Sequence, residues 1–550
     1  MPDRDRAEAF DVVVIGSGFG GSAVACRLAQ AGRSVLVLER GRPWPPGSFP
    51  RTPYDMRSAF WDPASGGHGL YEVLSFTGID SIVAAGLGGG SLIYANVMLR
   101  KDAETFVNDG RERWLVTRED LDPYYEKAEA MQRAERYPID APGYDTIAKT
   151  GALERAARRL DLDFERPPLA VAFRSSEDAE PAPREPLEPE LNVHRAARST
   201  CRMCGECDVG CNYGAKQTTD FTYLSAAENA GADIRCCCEA YGVARDGDGF
   251  EVRYRQHLEA REGHREDLLD PVEDRFRRVR AGRVVLGAGT FGTTRLLLRN
   301  RASLPRLSAR LGHGFSTNGD LLAFVRHSAQ PLHPSRGPVI TGTIHVPDAK
   351  SPGGRGHLVQ DAGAPAATEW LWQALEAPHD LWGLRRTVAH MLGDRLRGHR
   401  DASLGGVLAR AFGTAEQGAN MMPLLGVGRD IAGGRMSLDG DELELEWREG
   451  PSQRYFDDLE ATLERVAEAL GGRPLRAPKG FSRLLTVHPL GGCAMAVTPA
   501  DGVTDQWGEV FGCDGLHVAD GSLMPGPVGA NPSLTILALA ERAAERMAAA

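Results

Sequence analysis

Apolar and polar positions fall into blocks along the chain, and the first block is the clearest. Residues 11 to 39 read DVVVI, GSGFGG, SAVACRLAQAG and SVLVLE in succession. A short continuous apolar run, a glycine turn, a helix-period segment and a second apolar run predict strand, turn, helix, strand. A glycine cluster, AAGLGGGS, follows at 84 to 91. Residues 166 to 192, RPPLAVAFRSSEDAEPAPREPLEPELN, turn Pro- and Glu-rich and predict an exposed loop in their second half. Residues 233 to 285 alternate like a β meander that closes on RVVLGAG. Scattered strand patterns between 320 and 480 surround one helical apolar stretch, ATEWLWQALEAPHDLWGLRRTVAHML. The last block, GLHVADGSLMPGPVGANPSLTILALAERAAERM, returns to strand, loop, helix, and no regular repeat links the blocks. The pattern predicts a mixed α/β fold, α+β overall, in which a discontinuous nucleotide domain is interrupted by substrate-domain insertions.

Gly16, Gly18 and Gly21 form G-x-G-x-x-G directly after the first predicted strand and at the start of the helix. In that place the three glycines allow a tight turn, backbone approach to a pyrophosphate and close helix–strand packing. The helix N-terminus presents free N–H groups to phosphate. Glu39 ends the next strand, where a carboxylate accepts from ribose hydroxyls. GAGTFG at 287 to 292 repeats the spacing after RVVL, as a second NAD(P) domain would. The stretch about 20 residues on, SLPRLSARLGHG, has no apolar strand ending in an acid, so this turn is assigned to the same nucleotide domain.

Composition narrows the class. The chain has 550 residues, 42% hydrophobic and 25% charged, with a net charge of −11. That balance is ordinary for a globular protein and argues against a general nucleic-acid binder. The charged opening MPDRDRAEAF leaves no room for a signal peptide, and no apolar run is long enough to span a bilayer. A cytoplasmic location with reduced thiols is the expectation. Four of the ten cysteines, Cys201, Cys204, Cys207 and Cys211, then stand at C-x2-C-x2-C-x3-C spacing. This spacing holds iron–sulfur clusters in ferredoxin-type proteins, but there the fourth cysteine serves a second cluster, and no second run exists here. An iron–sulfur cluster, a zinc ion and plain thiols therefore all stay open, with Arg202 and Lys216 at hand to offset negative charge. Cys26, Cys513 and the run Cys236 to Cys238, placed on a strand, read as packing residues.

Five stretches together carry a family likeness: VVVIGSGFGG (12 to 21), GLGGGSLIYAN (86 to 96), LGHGFSTNGD (311 to 320), HPLGGC (488 to 493) and DGLHVADGSLMPGPVGANPSLTI (514 to 536). The chain resembles the glucose–methanol–choline (GMC) oxidoreductases, and among them the cholesterol-oxidase-like branch. The likeness is strong in the nucleotide-binding parts and thin between about 325 and 480. It implies FAD as cofactor, held in a Rossmann-like domain built from residues 8–110, 195–320 (with the cysteine loop 201–211) and 481–550. Residues 111–194 would form a cap segment and 321–480 a β-sheet-based substrate domain. By motif, Gly16, Gly18, Gly21 and Glu39 would bind ADP. Gly89, Gly90, Ser91 and Asn96 would lie beside the flavin, and Asp520 and Gly521 near the pyrophosphate and ribityl.

The resemblance further implies oxidation of an alcohol by hydride transfer to flavin N5. His488 would be the base and Asn531 would hydrogen-bond the substrate oxygen, with Pro532 either fixing Asn531 or opening the last helix. The acceptor would be O2 or an external carrier. Some multi-subunit family members carry a cluster near their flavin. Cholesterol oxidases that isomerise a steroid double bond use a substrate-domain glutamate; around Glu416 its motif is missing, which leaves sterol as substrate an open point. Trp370, Trp372 and Trp382 sit in the helical apolar stretch and suit a lid for a hydrophobic alcohol, a surface that touches a membrane peripherally, or an ordinary core helix. Two rival readings are an electron-transfer or redox-sensing flavoprotein that uses the cysteine loop, and a flavin–NAD(P) reductase.

Overall fold

The computed structural model describes residues 8–51, 59–107, 112–260, 269–366, 419–475 and 484–549. The apolar run at 12–15 is buried, and the strand Glu8–Ile15 that carries it has a neighbour on each edge. It pairs in parallel with Val35–Leu38 and with Leu269–Leu286. Asp233–Arg235 continues the sheet in parallel beyond Val35–Leu38, and Leu516–Val518 pairs in parallel with Leu269–Leu286. Cys238–Asp246 and Gly249–Ala260 complete the seven strands as an antiparallel ribbon. In register, Ile15 faces Leu38 on one side and Leu286 on the other, and Leu286 faces Val518. Four strands therefore end level, and the turns after them gather at one edge, where open α/β sheets bind ligands.

Two helices close one face of this sheet. Phe19–Gln30 and the last helix, Ser533–Ala549, pack together. The Arg27 guanidinium forks onto both oxygens of Glu541 at 2.7 Å, and the Tyr223 hydroxyl donates to Glu541 at 2.8 Å. Helix Arg118–Met131, opened by a Thr117–Asp120 capping box, packs on Ser533–Ala549, with the Tyr125 and Thr535 hydroxyls 3.0 Å apart.

A second sheet of six antiparallel strands runs in the order Arg473–Leu475, Leu321–Arg326, Met422–Gly428, His357–Asp361, Thr343–Val346, Asp163–Glu165. Helices Ala148–Arg159 and Gln453–Ala469 bury their apolar sides against it, Leu153 and Leu459 among them. These strands come from the sequence that interrupts the first sheet. No helix among the described residues is long and apolar enough to cross a membrane.

The stretch 233–285 is not one meander. Asp233–Arg235 belongs to the parallel edge, and the antiparallel meander starts at Cys238. Between them Cys237 adopts φ 58°, its N–H donating to the Gly41 carbonyl at 2.9 Å. Cys236 and Cys237 thus form a corner, and only Cys238 opens a strand. Cys26 and Cys513 are buried as expected. Residues 188–191 of the Pro- and Glu-rich segment are exposed. The tryptophan-bearing stretch and Glu416 lie outside the described residues.

The fingerprint helix approaches the last parallel strand so closely that a Cβ on Gly20 would stand 1.6 Å from the Ala519 carbonyl oxygen. Backbone meets backbone there, so nothing can yield cheaply. Gly20→Ala should lower stability by at least about 2 kcal/mol, read as a shifted midpoint in urea unfolding.

Candidate active site

A cavity of about 630 Å³ opens where the level strand ends meet. At one end Gly16 and Gly18 border it, while Gly21 packs behind them, its absent Cβ leaving room for the Gly16 carbonyl. Gly16 holds φ 96°, a conformation open to glycine at little cost. Glu39 organises the same loop. Its Oε2 accepts from the Ser17 N–H at 3.1 Å and hydroxyl at 2.6 Å, and its Oε1 from the Gly41 N–H at 2.8 Å. Burial pushes its pKa up, against these hydrogen bonds. Glu39 borders the cavity and keeps acceptor capacity for ribose hydroxyls.

The predicted flavin-side residues divide. Gly89 borders the cavity at φ 53°, and a Cβ there would sit 2.6 Å from Gly18 Cα, so both its conformation and its close approach call for glycine. Gly90 also borders the cavity. Ser91 turns inward, donating to the Gly88 carbonyl at 2.7 Å and accepting from the Thr219 N–H at 3.0 Å. Asn96 is fully buried between the cavity-lining Ala95 and Val97, and neither polar atom of its side-chain amide has a partner. A buried amide left this way costs about 1–3 kcal/mol, a cost that a polar group bound beside it would relieve. Asp520, its pKa raised by burial, accepts from the Ser522 N–H (2.9 Å) and hydroxyl (2.6 Å) and from the Gly289 N–H (2.9 Å). It ties the loop after the last parallel strand to the second glycine turn, which therefore serves the same cavity. Gly521 and Pro532 line that cavity. Pro532 stands just before the last helix and its carbonyl accepts the Ile536 N–H at 2.9 Å.

His488 and Asn531 line the same cavity. The His488 Nδ1 is 2.7 Å from Asp320 Oδ1. Asp320 Oδ2 accepts from the Thr486 hydroxyl (2.9 Å) and from the Val487 and His488 N–H groups (2.9 and 3.0 Å). With Nδ1–H donated to this carboxylate, the neutral imidazole carries an unprotonated Nε2, the form a base requires. Two residues before Asp320, Asn318 accepts from the Val528 and Gly529 N–H groups at 2.9 and 3.0 Å and donates to the Ala530 carbonyl at 2.9 Å. The loop leading into Asn531 is thereby pinned to the same turn. Asp430 anchors the turn in its own right, accepting from the Thr317 N–H and hydroxyl, each at 2.9 Å. The Asn531 amide pairs with that of Gln360. None of Asn318, Asp320, Gln360 and Asp430 was assigned a role from the sequence. The only signal was the motif stretch LGHGFSTNGD, which contains the first two.

The cysteine loop needs correction. Among the described residues no group of three or more Cys, His, Asp or Glu side chains could hold a metal ion, so Cys201, Cys204, Cys207 and Cys211 do not form a ligand set. All four are free thiols. Burial pushes Cys201 well above its ordinary pKa and Cys204 up to about 12, with neighbouring thiols adding to the effect. Lys216 serves as a brace: its buried Nζ donates to the carbonyls of Leu92 (3.0 Å), Tyr94 (2.8 Å) and Cys207 (2.8 Å). Arg202 lies over the Tyr213 ring at 4.3 Å. The loop packs against the segment at 89–96, and Asp208 and Val209 within it border the cavity.

Two family models, both described as GMC oxidoreductase, match residues 20–311 and 461–540. The chain belongs to the GMC oxidoreductase family. The GMC chain is 30% identical to a cholesterol oxidase of Mycobacterium tuberculosis, over 97% of its own length and 90% of the relative's. It is 29% identical to a cholesterol oxidase of Acinetobacter baumannii, over 97% and 93%. Among solved structures, the pyridoxine 4-oxidase from Mesorbium loti superposes with a TM-score of 0.59 at 18% identity, covering 98% of both chains. The protein is thus an FAD-dependent alcohol oxidoreductase. The loop glycines, Glu39 and the unpaired Asn96 amide fit that cofactor.

Asp320→Asn would set an amide N–H against donors that now meet a carboxylate. It should leave FAD bound and slow reduction of the flavin by an alcohol by roughly 10²–10³-fold, measured anaerobically by stopped flow.

Proposed function

We propose that the protein oxidises the hydroxyl of a hydrophobic alcohol to a carbonyl, with His488 accepting the hydroxyl proton at Nε2. The observation that carries this reading is that His488, its Nδ1 committed to Asp320, and Asn531 line the same cavity. Bound FAD supplies the acceptor for the carbinol hydride. Gly16, Gly18, Glu39, Gly89 and Gly521 would hold the cofactor, with residues 8–110, 195–320 and 481–550 as its domain. Asn531 would donate to the substrate oxygen and orient its C–H bond.

The substrate class follows from the walls. Leu74, Ile82, Val339, Ile340, Leu425 and Leu485 line the cavity, so a polar polyol would lose hydration there without replacement hydrogen bonds. The cholesterol oxidase names of the relatives favour a bulky, sterol-like alcohol and O2 as the final acceptor. Residues 111–194 and 321–480 would shape this side of the site.

His488→Ala should retain FAD and slow anaerobic flavin reduction by roughly 10²–10⁴-fold, the usual worth of a general base. Reduction at the wild-type rate would remove His488 from the chemistry and favour an electron-transfer flavoprotein. Peroxide released in proportion to alcohol consumed would fit O2 as acceptor; its absence with turnover on a dye would point to a dehydrogenase.

A further inference from the structure

The second sheet meets Asn531 through the side chain of Gln360. Gln360, on the strand His357–Asp361, is fully buried and meets Asn531 in a reciprocal amide pair. Its Nε2 donates to Asn531 Oδ1 at 2.8 Å, and its Oε1 accepts from Asn531 Nδ2 at 3.2 Å. The second Nε2 proton goes to the Thr343 hydroxyl at 3.3 Å, on the neighbouring strand Thr343–Val346. Each polar atom of Gln360 thus has a partner, and its amide alone cannot flip without setting like groups of the two amides against each other in a buried place. Asn531 inherits that orientation. One Nδ2 proton and the carbonyl are spent on Gln360, which leaves the other Nδ2 proton for the cavity.

We propose that Gln360 is a positioning residue that fixes Asn531 with an N–H toward the substrate oxygen, and that it must be neutral to do so. This rests on the alcohol-oxidation reading above. A neutral amide matches Asn531 as both donor and acceptor. An ionised carboxylate in its place would only accept. It would set oxygen against Asn531 Oδ1 and turn the Asn531 carbonyl toward the substrate. The second sheet thereby reports to the catalytic end through hydrogen-bond polarity rather than through contact with the reacting atoms.

The test is the pH profile of Gln360→Glu in the FAD-loaded protein. A protonated carboxyl reproduces one donor and one acceptor, and an ionised one does not. Anaerobic flavin reduction by a panel from 1-decanol to cholesterol should run within about threefold of wild type at low pH and fall at least about tenfold as pH rises, chiefly in kcat. Wild type should lack that limb, and Gln360→Leu should be slow at every pH. In an Asn531→Ala background Gln360→Glu should add no further loss. A readout without substrate accompanies this. The new carboxyl must be protonated when folded but ionises near pH 4.3 when unfolded. Its folded pKa is raised, so the melting temperature of Gln360→Glu relative to wild type should be highest at low pH and drop as pH rises toward the folded pKa. A rate profile for Gln360→Glu parallel to wild type, or an undiminished rate in Gln360→Leu, overturns the proposal while leaving the alcohol reading intact. Wild-type flavin that no alcohol in the panel reduces, or Asn531→Ala reduced at the wild-type rate, overturns the parent reading of that residue and this proposal with it.

Discussion

One buried carboxylate sets the geometry of the catalytic end. Asp320 has no exposed surface, and its two oxygens meet His488 Nδ1, the Thr486 hydroxyl and two successive N–H groups. A buried charge costs several kcal/mol unless it is satisfied in this way, so the carboxylate fixes the backbone at 486–488 as firmly as the imidazole. The turn that carries Asp320 also carries Asn318, which holds the loop into Asn531. His488 and the loop into Asn531 are thus both held from residues 316–320. Asp430, two residues past the end of the second-sheet strand Met422–Gly428, also holds that turn.

The same turn explains how a discontinuous fold makes a single site. Leu321–Arg326, which starts directly after Asp320, is a strand of the second sheet. The first sheet brings Glu39 through its level strand termini, the second begins at the residue that holds His488, and Glu39 and His488 line one cavity. Interrupting the nucleotide domain at this place is what brings apolar walls from the second sheet over the reactive end.

What could be read from the sequence follows the range of each interaction. The strand–glycine–helix–strand block was legible because its periodicity and its chemistry are local, and Gly16, Gly18, Gly21 and Glu39 fall where that pattern puts them. His488 and Asn531 came from motifs, not from spacing. Their partners were not legible: Asp320 lies 168 positions from His488, and Gln360 lies 171 from Asn531. No period links such residues. The cysteine loop misled for a related reason. Spacing alone does not say where each sulfur points, and Lys216, five residues past Cys211, ties the Cys207 carbonyl of the loop to the carbonyls of Leu92 and Tyr94. Cys237 likewise broke a plausible strand because a left-handed residue was needed to turn the sheet edge.

The most direct test of the central claim is the anaerobic reduction of the bound flavin by a hydrophobic alcohol, compared with the same alcohol deuterated at the carbinol carbon. The account predicts that the alcohol bleaches the flavin and that deuteration slows bleaching, because the carbinol C–H bond breaks as the proton leaves for His488. Flavin that NADPH bleaches and alcohols leave oxidised would contradict it.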